Sequence, residues 1–406
     1  MDTSKCEVGK GDTHNVRLNT TKVEQFEIEN GGKKLKIKII SVAISLLLVL
    51  SILVIACSAP SPSPSPSPSP SPSPSPSPPP AQETYQWKFQ HYWGAGEHWM
   101  FEPFGEYLEE LSDGRIVVES YSADALVPCG EMLEALRQGT LDIAFCEGGM
   151  WGATIPVGDI ETLTAFIARD YKHVQALYED RVDYEGLPFG FGLKNICRDQ
   201  YLEKENIYYI QNIYTDSSVL WLNKPIKTFD DLDGMKLWIW PIVAKALEPS
   251  GAVLSTVPAE ELYSAQASGI VNGSMWGGTA CGWDMGWHEI MGYILRPAFQ
   301  TTAPNAYLMA PEAWYALPDD LKTMVQAAVI YDSDFMVAAY TYRDVAKQKV
   351  MEEEYGLEVL TLPQEEWDKW AQWCVDVLEE MKVENEENRE AVDLVLEWMK
   401  FFDYID

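Results

Sequence analysis

Aromatic and acidic side chains stand at the ends of three predicted β-strands, and these are the residues in this sequence best suited to chemistry. Trp93 follows the first predicted strand, Glu147 follows the third, and Trp238 and Trp240 lie on a central one. Indole rings bind flat groups by stacking and cations through their π faces, and a carboxylate accepts hydrogen bonds from hydroxyls or amines. Because open α/β sheets bind ligands at the carboxyl ends of their strands, these residues predict a site for a small organic molecule.

No catalytic pattern accompanies these residues. The sequence contains no G-x-S-x-G elbow, no H-E-x-x-H and no P-loop. Four histidines follow the first 56 residues, and they lack the spacing of metal ligands: His91, His98, His173 and His288. We therefore expect a protein that is not an enzyme, with no cofactor and with structural histidines.

The cysteines indicate little disulfide chemistry. Five of them follow Cys57, an odd number that leaves at least one thiol unpaired, and their spacing does not suggest zinc: Cys129, Cys146, Cys197, Cys281 and Cys374. Isolated buried thiols are the expected arrangement. A disulfide between Cys129 and Cys146 is the alternative.

Composition and charge narrow the class of protein. The chain has 406 residues, 47% of them hydrophobic, which is enough for a two-lobed globular protein. Its formal net charge of −32 argues against nucleic acid or an anionic membrane surface as a partner. Such a surface suits a domain that works outside the cytoplasm.

The first 84 residues have the pattern of a secreted, anchored precursor. A basic segment, Lys33–Lys38, precedes the apolar run Ile39–Ala56, and Val54–Cys57 resembles a lipoprotein signal, which predicts cleavage before Cys57 and lipidation of its thiol. An uncleaved signal anchor is the alternative. The Ser-Pro repeat Ser58–Pro80 excludes helix and sheet and predicts a polyproline II stalk on the order of 70 Å long.

The folded part begins with alternating β and α patterns. Tyr85–His91 predicts a first strand, Ile116–Tyr121 a second and Leu141–Phe145 a third, with amphipathic helices between them. This βαβαβ order implies a parallel sheet with right-handed crossovers. Further along, Asp319 begins a helical pattern that runs to Tyr355, with Gly356 after it as a cap.

The central stretch, residues 224–273, carries the most specific motifs. Pro225 fixes a turn, Thr228 can cap a short helix led by Asp231, Gly234 leads into an apolar strand, and Gly269 ends a second helix. These motifs, together with a "L-R-Q-G-T-L-D-I" run upstream, resemble the solute-binding subunits of TRAP transporters, the DctP-type family, from about Trp87 to the C-terminus.

The resemblance implies further site residues and one departure. The family's arginine, which pairs with a substrate carboxylate, falls on Trp238, and a ligand-contacting asparagine of many members falls on Trp276. A glutamate of the keto-acid-binding branch would fall on Met275. The segment Ser218–Trp221, where a second family arginine can sit, has no basic residue, and Trp221 joins the candidates. Core packing is the competing interpretation for every tryptophan.

Two hypotheses about the ligand follow from this departure. In the first, the ligand is neutral, zwitterionic or cationic and is held between indole rings. In the second, an arginine from elsewhere, such as Arg198 or Arg169, restores carboxylate binding. The sequence alone leaves both open.

The resemblance also implies the architecture and the function. It implies an α/β, two-lobed, periplasmic-binding-protein-like fold in which each lobe is a mainly parallel sheet flanked by helices, with a long helix spanning both. The implied partners are TRAP membrane subunits driven by an ion gradient, and the implied location is the outer face of the cytoplasmic membrane. The alternatives are an extracellular lipoprotein hydrolase and a receptor for an ABC importer or sensor kinase. The expected domains are a precursor segment (1–56), a lipidated stalk (57–84), lobe I (85–212 plus 300–345) and lobe II (213–299 plus 346–406).

Overall fold

The computed structural model divides the chain into two units, Met1–Pro78 and Pro79–Asp406. In the first unit the structure describes two short antiparallel strands, Glu29–Asn30 (β1) and Lys33–Lys34 (β2). In the second it describes Glu83–Asp406 except residues 185, 186, 216, 259 and 260. The predicted apolar segment, Cys57 and the Ser-Pro stalk therefore lie outside the described residues.

The second unit alternates strands and helices along the chain. Its strands are Tyr85–His91 (β3), Ile116–Tyr121 (β4), Ile143–Glu147 (β5), Val182–Tyr184 (β6), Leu187–Phe189 (β7), Tyr208–Tyr214 (β8), Leu220–Leu222 (β9), Lys236–Trp238 (β10), Val253–Leu254 (β11), Gly273–Met275 (β12), Tyr293–Arg296 (β13), Pro304–Met309 (β14) and Glu358–Thr361 (β15). Its α-helices are Glu102–Leu111 (α1), Met132–Arg137 (α2), Val157–Ile167 (α3), Tyr171–Tyr178 (α4), Leu193–Glu205 (α5), Pro241–Leu247 (α6), Leu262–Ala267 (α7), Thr279–Asp284 (α8), Pro311–Tyr315 (α9), Asp319–Val350 (α10), Gln364–Glu384 (α11) and Arg389–Phe401 (α12). None of the helices in this described part combines the length and apolar character that a bilayer-spanning helix needs.

Two sheets form the framework, and each is mainly parallel. The first has the order β4-β3-β5-β14-β8, and only β14 runs against the other four strands. The second has the order β11-β10-β12-β9-β13-β15, and only β9 is reversed. One reversed strand per sheet leaves the remaining carboxyl ends on a common edge, where ligand sites of α/β proteins lie. The predicted α/β fold class is confirmed.

Local sequence signals account for several of these elements. The first two strands have the predicted bounds, whereas the third begins at Ile143 and extends to Glu147. Thr228 forms the predicted cap as a capping box with Asp231, although the segment that follows is a single 3₁₀ turn. Gly269 has φ +74°, as the end of a helix requires.

The 32-residue helix α10 connects the layers that cover the two sheets. It packs against α1 and β8 and also against α8. Its Tyr340 belongs to the hydrophobic cluster of the first sheet, while Met351, in the π-helical turn that continues it to Tyr355, belongs to a cluster of the second. The predicted long helix ending at Gly356 is therefore confirmed. The exact residues at which the lobes divide stay a prediction.

Candidate functional site

A cavity of about 430 Å³ opens where strand ends of both sheets meet. Its wall contains residues from the loops after β3 and β5 of the first sheet and from the ends of β10 and β12 of the second. Six of the seven side chains that the sequence singled out for ligand binding line it: Trp93, Glu147, Trp238, Trp240, Met275 and Trp276. Strand ends that are more than 100 residues apart in sequence thus converge on one volume.

The second sheet contributes a stacked pair of indoles. β10 and β12 are parallel neighbours with Trp238 opposite Ser274, so Trp276, two residues further along, projects toward the same side as Trp238. Their ring centroids are 5.3 Å apart at an interplanar angle of 30°. The indole nitrogen of Trp238 donates to the carbonyl of Val257 at 2.8 Å, which fixes that ring, whereas Trp276 keeps 40% of its surface exposed.

The first sheet contributes Trp93, which is wedged among other rings. It meets Phe101, Phe145 and Tyr340 edge to face, with centroid distances of 5.3, 5.4 and 5.4 Å. Edge-to-face contacts from three directions leave the indole little rotational freedom. The wall on this side is therefore preorganised.

Glu147 belongs to a polar cluster at the end of β5. It is 3% exposed, and its Oε2 lies 3.3 Å from the hydroxyl of Tyr92. That hydroxyl is also 2.9 Å from Oδ1 of Asn305, whose amide nitrogen donates to Thr215 at 2.9 Å. The cluster places the carboxylate of Glu147 at the cavity wall and connects it through Tyr92 to Asn305 and Thr215.

Two polar residues of the cavity were not singled out from the sequence. Glu97 lines it and is close enough for the thiol of Cys281 to donate to Oε1 at 3.8 Å. Burial, and then the nearby charge of Asp284, raise the pKa of Glu97, while Arg343 acts in the opposite direction. Gln300 is 2% exposed, and its Nε2 has no hydrogen-bond partner in the described part of the chain.

Sequence signals for these two residues are weak. Glu97 lies four residues after Trp93 in the segment that follows the first strand, and this proximity is a local signal that it reaches the same site. Gln300 is brought to the cavity by its backbone pairing with Ser218, 82 positions away, which no local pattern reveals. Long-range pairing, rather than residue type, places it.

The arginines proposed as substitutes for the family arginine lie elsewhere. Arg169 donates to the carbonyls of Ile167 and Trp367, and Arg198 donates to those of Tyr209 and Ile210. Among the described residues that line the cavity there is no lysine or arginine. The hypothesis that Arg198 or Arg169 restores carboxylate binding is therefore wrong, because both guanidinium groups are engaged with backbone carbonyls outside the site.

Trp221 does not line the cavity either. It sits in the middle of β9, fully buried, with its ring 6.0 Å from that of Trp287 at 82°. Strands β12 and β13 flank it on both sides. In this structure the core-packing interpretation applies to Trp221.

The cysteines carry no disulfide in the described residues. Cys129 and Cys146 are both free thiols, so the alternative of a bridge between them is wrong. Burial raises the pKa of the Cys146 thiol well above its usual value, which keeps it protonated and unreactive. No group of three or more His, Cys, Asp or Glu side chains that could hold a metal is found within the part of the chain that the structure describes.

Comparison with known proteins identifies the family. Residues 89–385 match the family described as bacterial extracellular solute-binding protein, family 7, or DctP. The chain belongs to this family. Because DctP proteins are solute receptors, the prediction of a receptor rather than an enzyme is confirmed at the level of the family, and the hydrolase alternative gains no support.

Individual DctP relatives are distant. The sialic acid-binding periplasmic protein SiaP of Vibrio cholerae is 28% identical over 183 residues, 44% of this chain and 53% of that protein. A monocarboxylate 2-oxoacid-binding periplasmic protein of Nostoc is 21% identical over 247 residues, 57% of this chain and 61% of that protein. The chain thus spans little more than half the length of these curated relatives.

Solved structures share the fold. A TRAP periplasmic solute-binding protein of Chromohalobacter salexigens, with bound (S)-(+)-2-amino-1-propanol, has a TM-score of 0.65 at 22% identity, covering 78% of this chain and 95% of that one. A second from Pseudoalteromonas atlantica, with bound sodium and pyruvate, has a TM-score of 0.67 at 19% identity, covering 79% and 95%. At these identities the likeness concerns the fold.

Proposed function

We propose that this chain is an extracytoplasmic receptor that binds one small organic solute in the cavity and delivers it to the membrane subunits of a TRAP transporter. The observation that carries the proposal is the 430 Å³ cavity at the strand ends of both sheets, walled by preorganised indole rings. Its volume and apolar wall with a few polar groups are typical of small-molecule sites. Solutes of similar size are bound in the structural relatives from Chromohalobacter and Pseudoalteromonas.

The proposed mechanism is closure of two lobes over the solute. Trp93 and Glu147 come from the predicted lobe I, and Trp238 and Trp276 from the predicted lobe II, so a bound solute contacts both. A ligand shifts a conformational equilibrium only by its differential affinity for the two states. Contacts to both lobes exist only when the lobes are close together, which supports closure as the signal read by the membrane subunits.

The proposed location is the outer face of the cytoplasmic membrane. The lipoprotein-like signal ending at Cys57 and the Ser-Pro stalk, whose extended length is on the order of 70 Å, support a receptor tethered by a lipid. Metabolic labelling with a radioactive fatty acid tests this point. We expect label in the wild type and none in Cys57→Ala, and label retained by the variant would contradict the anchor.

The function is tested by a thermal-shift screen of the full-length chain in detergent. Small carboxylates, neutral compounds and ammonium compounds are screened against the wild type, Trp276→Ala and Trp99→Ala. Trp99 is a matched control because it is 42% exposed, close to the 40% of Trp276, and lies outside the cavity wall. We expect at least one solute to raise the Tm of the wild type and of Trp99→Ala but not of Trp276→Ala. If no solute of any class raises the Tm, or if Trp276→Ala responds like the wild type, the proposal fails.

A further inference from the structure

The exposed surface of α10 between Ile330 and Lys349 carries little charge for this chain. Nine residues there are exposed, and only two of them are charged: Ile330, Tyr331, Asp334, Ala338, Thr341, Tyr342, Val345, Ala346 and Lys349. On α11, by contrast, seven of the ten exposed residues are charged. Because the chain contains 62 acidic and 30 basic residues, a helix surface that meets only water is expected to resemble α11. The composition of the α10 surface therefore indicates contact with another molecule.

Six of these residues share one side of the helix, which we call the α10 face. They recur at three- and four-residue spacings and lie within about 100° around the helix axis: Asp334, Ala338, Thr341, Tyr342, Val345 and Lys349. Tyr342 is 78% exposed and Val345 is 51% exposed, and a shallow groove runs along the face. None of the six residues lines the solute cavity, so the α10 face is separate from the proposed binding site.

The two charged residues of the α10 face stand at its ends. Asp334 and Lys349 are about 22 Å apart along the helix axis. Among the described residues, the salt bridges of α10 are made by residues of its first turn and by Arg343, which pairs with Asp284. The charges at the ends of the face take no part in them. Both are therefore available to a partner.

The positions of these charges have a two-fold relationship. The midpoint of the α10 face lies between Thr341 and Tyr342, and Asp334 and Lys349 are equally far from it on either side. If a second copy packs in the antiparallel direction about a two-fold axis through this midpoint, Asp334 of each copy meets Lys349 of the other. A parallel arrangement would place each charge opposite itself. Charge complementarity therefore selects the antiparallel pair.

The apolar residues of the face fit the same arrangement. Ala338 and Val345 are also equally far from the midpoint, so Ala338 of one copy lies opposite Val345 of the other. In the centre Tyr342 lies opposite Thr341. Each larger side chain thus meets a smaller one, which lets two helices approach closely. The contact removes the exposed rings of Tyr342 and the methyl groups of Val345 from water.

We propose that the α10 face binds the same face of a second copy of this chain, as an antiparallel helix pair about a two-fold axis. Four turns of helix bury less surface than a standard protein interface, so the dimer is a weak one with a dissociation constant on the order of 10 to 100 µM. The contact is isologous, which means that Asp334 and Lys349 form two equivalent ion pairs per dimer.

Sedimentation equilibrium of the full-length chain, in a detergent matched to the density of the solvent, tests the inference. The wild type should show a monomer–dimer equilibrium. Asp334→Lys and Lys349→Glu should each weaken it about five- to tenfold, because each replaces two ion pairs by two like-charge contacts. The double variant Asp334→Lys/Lys349→Glu restores both pairs with their signs exchanged, and its affinity should return to within about twofold of the wild type.

The net charge of the chain provides an internal control. At −32, two copies repel each other, and Asp334→Lys makes each copy less negative. General repulsion therefore predicts stronger association for this variant, whereas the proposed ion pairs predict weaker association. Glu365→Lys makes the same change of charge at an exposed position on α11 and should not weaken the dimer. Equal Tm values confirm that the variants fold.

Disulfide formation between two variants tests the register. Ala338→Cys with one affinity tag is mixed with Val345→Cys carrying another, and the mixture is oxidised. The proposed pairing places these two thiols opposite each other, whereas in a dimer of either variant alone they are about 10 Å apart along the axis, too far for a disulfide. Mixed disulfide dimers should therefore exceed the others, with the wild type, whose described cysteines are free, as the background.

Four results would overturn the inference. The first is a wild type that stays monomeric at concentrations on the order of 1 mM. The second is unchanged association in the single reversals, or no recovery in the double variant, and the third is an excess of unmixed over mixed disulfides. The fourth is capture of a membrane subunit by a photoreactive group at position 342 without any dimer, which assigns the α10 face to the transporter. None of these results affects the proposed solute binding, because the α10 face lies outside the cavity wall.

Discussion

Two pairs of tryptophans, each with at least one member on a strand of the second sheet, have opposite environments. Trp238 and Trp276 stack at 5.3 Å in the cavity, with Trp276 40% exposed, whereas Trp221 and Trp287 meet edge to face at 6.0 Å and are fully buried. The pairs differ in strand position. Trp238 is the last residue of β10, and Trp276 follows the last residue of β12, but Trp221 is the middle residue of β9 with a neighbour strand on each side. Position along a strand, rather than residue type, separates site from core.

The acids show the same division. Glu161 lies in the buried helix α3 and accepts hydrogen bonds from the hydroxyls of Tyr209 at 2.8 Å and Tyr178 at 3.2 Å. Burial raises its pKa to about 7. Glu97 has a raised pKa as well, but it borders an open cavity that a solute can enter. The core acid is held at Oε1 by two tyrosine hydroxyls, whereas the site acid borders space that a solute can occupy.

The largest expected effect comes from breaking the core pair. Trp221→Ala removes a fully buried indole, and we expect it to lower the free energy of unfolding by about 3 to 5 kcal/mol. Trp276→Ala, at the partly exposed position, should lower it by less than about 1 kcal/mol. Urea denaturation followed by circular dichroism measures both. Similar losses in the two variants would show that the pairs do not differ as described.

The next largest expected effect is the dependence of stability on pH that the buried Glu161 causes. The pKa of Glu161 is raised from 4.5 to about 7, so the folded state holds the proton more tightly than the unfolded state. The associated stability is complete below pH 4.5 and is lost as pH rises toward 7, by about 3 kcal/mol in total. The Glu161→Gln variant cannot ionise at this position. Between pH 4.5 and 7 the free energy of unfolding of the wild type should therefore fall by about 3 kcal/mol relative to that of the variant.

Measuring the difference between these two proteins cancels every other titrating group that they share. Unfolding free energies from urea titrations at several pH values give the difference directly. A difference that stays constant from below pH 4.5 to above pH 7 would mean that Glu161 ionises in the core as easily as in the unfolded chain.

A third prediction concerns the binding of carboxylates in the cavity. Trp238→Arg places a guanidinium where the resemblance to the family locates one, at the cavity wall. We expect pyruvate to gain affinity by about 10- to 100-fold over the wild type, because charge-assisted hydrogen bonds are worth about 1.5 to 3 kcal/mol. Trp238→Gln removes the indole without adding charge and serves as the control. Gain of pyruvate binding in both variants would assign the effect to lost bulk, not to charge.

Local sequence signals predicted the elements better than the site. The strand Tyr85–His91 and the capping box at Thr228 depend on neighbouring residues, so alternation and capping chemistry locate them. The wall position of Trp238 follows from a strand end, which is also a local feature. Trp221 has the same residue type and was included among the candidates, but its burial depends on β12 and β13, which pair with β9 from 50 or more residues away.

Gln300 shows the limit most clearly. Its place in the cavity depends on a backbone pairing with Ser218 and on the turn between β13 and β14. Its amide nitrogen has no hydrogen-bond partner among the described residues, which is a property of the assembled wall. Nothing in the neighbouring Phe299 or Thr301 distinguishes it from a surface glutamine. A residue that reaches a site through backbone pairing distant in sequence can be identified only from the three-dimensional structure.

The smallest expected effect concerns the hydrogen bond that holds the indole ring of Trp238 at the cavity. Trp238→Phe keeps an aromatic face but removes the indole N–H that donates to Val257 at 2.8 Å, and we expect a loss of about 1 kcal/mol in the free energy of unfolding. Trp276→Phe is the matched control, because the Trp276 indole nitrogen donates to no protein group in the described part of the chain, and its loss should be smaller. If the two substitutions cost the same, the hydrogen bond does not fix Trp238. The ring would then be held by stacking alone, and the two members of the cavity pair would be energetically alike, in contrast to the asymmetry that their different exposure and bonding imply.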